Sequence, residues 1–320
     1  MMVLAPSKIN TFVTANHNMK KILVTGSNGL LGQKLTDLYR TLPDRKLFAS
    51  GRGANRHPEK HGYDYIELDI SDFAKTKEIL ELIQPDVLIN AAAMTQVDDC
   101  ESDTKNCTLF NVTAVENMAK LCATLNIHFI HISTDFIFDG TIGNYTEDDL
   151  PNPLSFYGNS KWEGEKKVQQ HAQHYAILRT VLVYGVVSDM SRSNIVLWAK
   201  GALEKGAPIK VVNDQWRTPT LAEDLAMGCY LTEKHEAQGI YNISGKDLLR
   251  IDDLVRTVGQ FWNLDISLIN EVSSTTLNQA AKRPPKTGFN LSKSRKELGY
   301  EPHSFVEGLA IVKQQLERNI

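Results

Sequence analysis

Between residues 20 and 42 the chain passes from an apolar run, KKILVT, through the turn TGSNGLLG at 25–32 into a helical pattern that lasts to Leu42. Few folds accommodate a strand, three glycines and a helix in that order. Glycine permits the tight reversal, lets backbone approach a bound diphosphate, and lets helix pack closely on strand. The free amides at the helix start then face the anion. A G-x-x-G-x-x-G turn is weak evidence alone, since glycine-rich turns arise in many loops. The flanking strand and helix turn it into an expectation of dinucleotide binding by Gly26, Gly29 and Gly32.

The same rhythm continues downstream. Strand patterns cover Leu47–Ser50, Tyr65–Leu68, Asp86–Asn90, His128–Ser133 and 176–185, with helical patterns over Phe73–Ile83, Leu109–Leu125 and Phe156–His171. Short β-rich runs alternating with longer helices predict an α/β fold, a parallel sheet with helices on both faces. The last third is less regular. It offers helices over Asn194–Gly201, Thr220–Lys234 and Ile251–Phe261 and strands at 209–212 and 240–243, punctuated by Pro219, Pro284, Pro285 and Pro302. This predicts a nucleotide-binding domain over 20–185 and a smaller C-terminal α/β substrate domain over 186–320, with some segments returning to the main core. Residues 1–19 have no continuous apolar core and read as a loose extension, with Met19 as the effective start.

Composition excludes several classes. The 35 basic and 38 acidic residues leave a net charge of -3 without a long block of one sign, which disfavours nucleic acid as a partner. Cysteines stand only at 100, 107, 122 and 229, with no C-x-x-C pair and no histidine cluster beside them. That fits a reducing, cytoplasmic setting and no metal site. No apolar run reaches the roughly eighteen residues of a membrane span.

The second strand ends in Ala49 and Ser50, where an acidic residue would select NAD through the ribose, and Arg52 and Arg56 follow. NADP(H) is therefore favoured over NAD(H), the alternative being that these arginines belong to an ordinary solvated loop. Asp69 closes the third strand, where its carboxylate can accept from the adenine amine. Helix capping by Ser71 or Asp72 accounts for the local acidity equally well. The small residues Ala91, Ala92 and Ala93 leave room for a cofactor to cross the sheet edge.

Tyr157 and Lys161, in YGNSK at 157–161, lie one helical turn apart, and Thr134 ends the strand before them. An ammonium near a phenol favours the phenolate, so Tyr157 is the expected proton donor to a carbonyl oxygen and Thr134, with Ser133 beside it, the expected hydrogen-bond partner of that oxygen. Lys161 has a second expected task, gripping the nicotinamide ribose. A Tyr-x-x-x-Lys pair also occurs by chance on surface helices. Asp135 either orients substrate or caps the next turn.

With these residues in place, the chain resembles the dTDP-4-dehydrorhamnose reductase family of the extended short-chain dehydrogenase/reductase superfamily. The likeness runs from Lys21 to about Leu298. It is carried by INAAAMTQVDDCE at 89–101, STDFIFDG at 133–140, YGNSK at 157–161, LRTVLVYG at 178–185, DQWRTPT at 214–220 and AKRPP at 281–285. The resemblance implies a Rossmann-type fold and reduction of the C4 keto group of dTDP-4-dehydro-L-rhamnose by NADPH or NADH. It implies a catalytic set of Thr134, Tyr157 and Lys161. The cofactor diphosphate would lie at Ser27, Asn28, Gly29, Leu30 and Leu31, the adenine at Asp69 and Ile70, and the cleft at Ala91, Ala92 and Ala93. Thr95, Val97, Asp135, Trp216 and Arg283 would meet the nucleotide sugar. A guanidinium at Arg283 suits a diphosphate through paired charged hydrogen bonds, the bland alternative being a solvated arginine before a Pro-Pro loop.

The chain departs from the family pattern in three respects. Phe136 replaces a usual tyrosine. Arg217 replaces a usual glycine, and either alters which sugar nucleotide fits or points outward. Gln33, Lys34 and Leu35 offer no carboxylate for the magnesium site through which some members dimerise, which leaves monomer and homodimer open. Two rivals remain: an epimerase or reductase acting on a different nucleotide sugar, and a non-catalytic subunit like the regulatory subunit of methionine adenosyltransferase.

Overall fold

The computed structural model describes residues 19–188, 193–277 and 279–318. Apart from Met19, the extension expected over 1–19 lies outside the described residues.

The first half alternates as its pattern predicts. β1 (Lys20–Thr25), α1 (Leu30–Tyr39), β2 (Arg45–Gly51), β3 (Asp64–Glu67), α2 (Phe73–Ile83) and β4 (Val87–Asn90) follow in order. Local chemistry sets the ends of α2: the Asp72 carboxylate accepts from the Lys75 amide, and Gln84 stops the helix in the left-handed region at φ 48°. Two short helices, α3 (Val97–Ser102) and α4 (Thr104–Thr108), then lead through a π-helical turn at Leu109–Thr113 into α5 (Ala114–Leu125). β5 (His128–Thr134), α6 (Phe156–His171) and β6 (Tyr175–Thr180) complete this half. The Ser155 hydroxyl caps α6 by accepting from the Gly158 amide at 3.1 Å, which fixes where the Tyr157 turn begins.

The strand expected across 176–185 is broken in two. At Val181 and Leu182 the chain leaves the main sheet, with Leu182 at φ 38°, and the Thr220 amide and hydroxyl bind the freed Val181 carbonyl. Beyond the break, β7 (Val183–Tyr184) pairs instead with Thr220–Leu221. The rest comprises α7 (Ile195–Glu204), β8 (Ile209–Val212), β9 (Trp216–Arg217), β10 (Thr220–Leu221), α8 (Ala222–Lys234), β11 (Gly239–Asn242), β12 (Leu249–Arg250), α9 (Ile251–Phe261), β13 (Ile269–Val272), β14 (Lys286–Thr287), α10 (Ser292–Leu298) and α11 (Phe305–Arg318). The helix expected from Thr220 thus starts two residues later.

Seven strands form one parallel sheet in the order β11-β6-β5-β4-β1-β2-β3. Alternate residues feed opposite cores. Ile22 and Val24 of β1 face Leu35 and Tyr39 of α1, whereas Leu23 faces Ile79 and Leu80 of α2 and Met118 of α5. Each such fully buried aliphatic side chain contributes roughly 1.5–3 kcal/mol. A separate core, built from α7, α9, α11, β8 and β13, forms the smaller α/β region. This is the Rossmann-type architecture with helices on both faces. Connections diverge between β1 and β4, so a crevice opens at their carboxyl ends, where ligands bind in such sheets.

Candidate active site

The glycine turn lies in that crevice. Gly26 adopts φ 72°, and a Cβ there would come within 2.8 Å of the backbone of Ala91 and Ala92 where β4 ends. A Cβ on Gly32 would sit 2.2 Å from the Gly26 carbonyl oxygen, so α1 can approach the turn only with glycine at this point. Gly29 stands before Leu30 without a side-chain cap on α1, leaving the first amides of the helix for another acceptor. Nearby, the buried Ser27 hydroxyl has no hydrogen-bond partner. An orphaned hydroxyl beside uncapped amides fits a diphosphate held at Ser27, Gly29, Leu30 and Leu31. Asn28 ties this turn to the loop after β2. Its Nδ2 donates to the Arg52 and Ala54 carbonyls at 3.2 and 3.1 Å, and its Oδ1 accepts from the Arg56 amide at 2.9 Å.

The expected adenine end is more open. Ser50 is fully buried with its hydroxyl on the Val24 carbonyl, and the exposed Arg52 lays its guanidinium 5.3 Å from the Phe110 ring centre. Among the described residues neither Arg52 nor Arg56 forms a salt bridge. One Asp69 oxygen accepts from the Ser71 amide and hydroxyl at 2.9 and 2.7 Å in a local turn, and Asp72 takes the helix-capping role considered from sequence. Ile70 turns its side chain into the core.

The three residues expected to take part in the reaction gather where β5 ends and α6 begins. Thr134 closes β5, Tyr157 and Lys161 lie on the first two turns of α6, and all three are buried. A Cβ on Gly158 would fall 2.2 Å from the Phe136 carbonyl oxygen, so glycine lets α6 lie against the loop after Thr134. The Phe136 and Tyr157 rings meet edge to face, 5.8 Å between centres. Burial raises the Tyr157 phenol above its ordinary value; the nearby Thr134 hydroxyl opposes that shift, and the Asp135 carboxylate reinforces it. Lys161 donates to the Ile132 carbonyl at 2.7 Å, and its Nζ lies 3.4 Å from His131 Nε2. Burial lowers the ammonium to about 8, with Glu165 opposing. The expected pull of ammonium on phenol is thus outweighed here, because both groups are buried and the lysine is engaged elsewhere.

Asp135 faces inward. Its Oδ1 accepts from Thr134 Oγ1 at 3.1 Å, its Oδ2 accepts from Thr287 Oγ1, and Arg217 Nε lies 3.7 Å away. Burial nevertheless raises this carboxyl, against the opposing effects of Arg217, Thr287 and Thr134. A carboxylate engaged on both oxygens positions Thr134 rather than lying open to substrate. The same geometry excludes the outward option for Arg217, which is 3% exposed and donates to the carbonyls of Trp216 at 2.7 Å and Pro284 at 2.7 Å.

Trp216 is half-buried on β9, paired with β14, and its amide binds the Pro285 carbonyl. Val97 opens α3 and packs with Tyr157, while Thr95 is exposed. Arg283 is not a free cation: it grips Asp98 of α3 through two hydrogen bonds of 2.7 and 3.2 Å. Sequence reasoning missed two buried residues here. Asn111, in the π-helical turn, accepts from the Met94 amide at 2.9 Å and donates to Ser160 Oγ at 3.0 Å, joining the triple-alanine loop to α6. His131 lies against Lys161, and only its place two residues before the Ser-Thr pair hints at it. Among the described residues no group of three histidine, cysteine or acidic side chains could hold a metal ion. Lys34, at the position considered for a magnesium ligand, pairs instead with Glu223 at 3.1 Å.

Comparison with known proteins gives consistent likenesses. A family model described as the RmlD substrate binding domain matches residues 19–318. The probable low-salt glycan biosynthesis reductase Agl14 of Haloferax volcanii is 32% identical over 291 residues, covering 90% of this chain and 95% of the relative. Methionine adenosyltransferase 2 subunit beta of Xenopus tropicalis is 30% identical over 282 residues, covering 87% and 82%. Among solved structures, the dTDP-4-dehydrorhamnose reductase of Bacillus anthracis str. Ames in complex with NADP superposes with a TM-score of 0.80 at 25% identity, covering 92% of this chain and 99% of that one.

Proposed function

The chain belongs to the RmlD substrate binding domain family, and from that membership we propose that it is an NAD(P)H-dependent reductase of a nucleotide-linked 4-keto-6-deoxy sugar, with dTDP-4-dehydro-L-rhamnose as the favoured substrate and dTDP-L-rhamnose as the product. The observation that carries this reading is the convergence of Thr134, Tyr157 and Lys161 beside the crevice between β1 and β4. The nicotinamide, when bound, supplies the hydride that reaches C4.

The protein's own groups do the rest. Tyr157 gives its proton to the carbonyl oxygen: burial keeps the phenol protonated in the resting site, and the weaker acidity that follows is offset by nearby positive charge as the phenolate forms. Thr134, its hydroxyl steered by Asp135, borders the same oxygen; loss of one such partner costs about 3 kcal/mol. Lys161 carries positive charge close to the forming phenolate and holds the nicotinamide ribose. Ser27 and the first amides of α1 hold the diphosphate. Arg283, exchanging Asp98 for substrate, holds the sugar nucleotide's diphosphate. The four buried, unpaired cysteines suit a reducing, cytoplasmic setting.

The deciding experiment is an assay of the purified protein with dTDP-4-dehydro-L-rhamnose and either NADPH or NADH, with product resolved by mass and sugar stereochemistry. Loss of the nicotinamide absorbance with formation of the C4 alcohol supports the reading. The likeness to methionine adenosyltransferase 2 subunit beta favours a second one, a cofactor-binding subunit without turnover. Inertness towards a panel of keto sugars, together with tight binding to a methionine adenosyltransferase catalytic chain, would establish that instead.

A further inference from the structure

Beneath Lys161 runs a row of polar side chains that the proposed reaction leaves unused. Thr25, Asn90 and His131 stand abreast on β1, β4 and β5, and all three are almost completely buried. Thr25 Oγ1 donates to Asn90 Oδ1 at 2.6 Å, and the Ala92 amide donates to the same oxygen at 3.3 Å. Asn90 Nδ2 lies 3.2 Å from His131 Nδ1, and His131 Nε2 lies 3.4 Å from Lys161 Nζ.

The orientation of the Asn90 amide follows from its neighbours. A backbone N–H can only donate, so the atom facing Ala92 must be the carbonyl oxygen, and the atom facing the imidazole is then NH2. That group can only donate too, which makes His131 Nδ1 an acceptor. Burial and Lys161 hold the imidazole well below its ordinary value, so the ring is neutral and carries a single N–H. With Nδ1 accepting, the proton resides on Nε2, aimed at the lysine.

We propose that Asn90 and His131 are positioning residues for Lys161: the amide fixes the imidazole with its proton on Nε2, so that the ring offers the lysine nitrogen a donor and not an acceptor. A neutral amine accepts that hydrogen bond, whereas an ammonium meets it donor to donor. The row therefore biases Lys161 towards releasing its proton and leaves the Ile132 carbonyl as the ammonium's fixed acceptor. Other groups around the lysine set the balance: Tyr157 and Glu165 on α6, Cys100 on α3 and Cys107 on α4. Glu165, although paired with Arg179 of β6 at 2.8 Å, opposes the bias, and so do Cys107 and Cys100; burial of the lysine outweighs all three. Gly164 lets α6 lie against the π-helical turn, because a Cβ there would stand 2.4 Å from the Asn111 carbonyl oxygen.

The tautomer can be read directly, without substrate, by nitrogen-15 NMR of histidine-labelled protein, with the His131 signals assigned by their loss in His131→Gln. The expected ring carries its proton on Nε2 with Nδ1 bare. A proton on Nδ1 would overturn the proposal. In Asn90→Asp the new carboxylate accepts from Ala92, Thr25 and the ring together, so the proton should move to Nδ1. Turning an acceptor to Lys161 should then shift the basic limb of the turnover profile to about tenfold lower proton concentration. An unchanged tautomer in that variant also overturns the proposal. Only the turnover consequence rests on the reductase reading: an Nε2–H ring in a protein that reduces no sugar nucleotide supports this inference and removes that reading.

Discussion

Arg217 Nε lies 3.7 Å from Asp135 Oδ2, with both side chains withdrawn from solvent behind Thr134. The arginine joins β9 to the Pro284–Pro285 segment, and the aspartate orients the Thr134 hydroxyl. Breaking such a pair from one side costs about 3–5 kcal/mol, since the remaining charge stays buried. Arg217→Gly should thus lower both turnover and unfolding free energy. The Asp135 carboxyl is already raised by burial and climbs further without its counter-charge. A carboxyl raised on folding costs nothing below its unfolded value and destabilises as pH climbs through the folded one. The variant's deficit, followed by urea unfolding across a pH series, should be small in acid and grow towards neutrality; a flat deficit would refute the pairing.

Tyr157→Phe removes the proton donor while keeping the ring packed against Phe136. Turnover should fall at least roughly 100-fold with cofactor affinity nearly unchanged. Lys161→Ala should weaken both turnover and cofactor binding, because the lysine serves the phenol and the ribose together. Steady-state rates and fluorescence titration with NADPH separate the two outcomes. Equal loss of affinity in both variants would mean that Tyr157 binds cofactor rather than transferring a proton.

The main sheet was legible because each strand is short, apolar and followed by a turn or helix with its own signal. The starts of α2 and α6 fall close to where their patterns place them, and Asp72 and Ser155 cap them chemically. The break at Leu182 was not legible, because LRTVLVYG is a continuous β-type run and only the Thr220 hydrogen bonds make the left-handed bend tolerable. α3 and α4 are too short and polar to leave a periodic signal. α11 did leave one, with Phe305, Leu309, Val312 and Leu316 on a single face, although it was not read. In the site, residue types were visible and partnerships were not: the sequence offers Arg217, Asp135, Arg283 and Asp98 as charges, and only the fold pairs them across distances of 82 and 185 residues.

Arg283 should act on substrate binding rather than chemistry. Its pair with Asp98 is partly exposed, so breaking it from either side should change stability little. Arg283→Ala should raise KM for the sugar nucleotide about tenfold or more with kcat nearly constant, the mark of an interaction equal in ground and transition states. Asp98→Asn loosens the competing grip on the guanidinium and should lower KM. Initial rates over a substrate series test both; a fall in kcat at constant KM in Arg283→Ala would move this residue into the chemical step.

The cofactor's phosphate preference should reside in the loop after β2. Ser50 is buried with its hydroxyl committed to Val24, so it cannot read the adenosine ribose. Arg52 and Arg56 are exposed, without a salt bridge among the described residues, and are held near the glycine turn by Asn28. A charged hydrogen bond of this kind contributes about 1.5–3 kcal/mol. Arg52→Ala and Arg56→Ala should each weaken NADPH binding roughly tenfold and leave NADH binding nearly unchanged. Salt should narrow the NADPH advantage in the unsubstituted protein, because exposed charges are screened within about 10 Å at 0.1 M. Equal weakening of both cofactors would assign these guanidinium groups to the shared diphosphate or adenine, and the preference for the phosphorylated form would lose its physical basis.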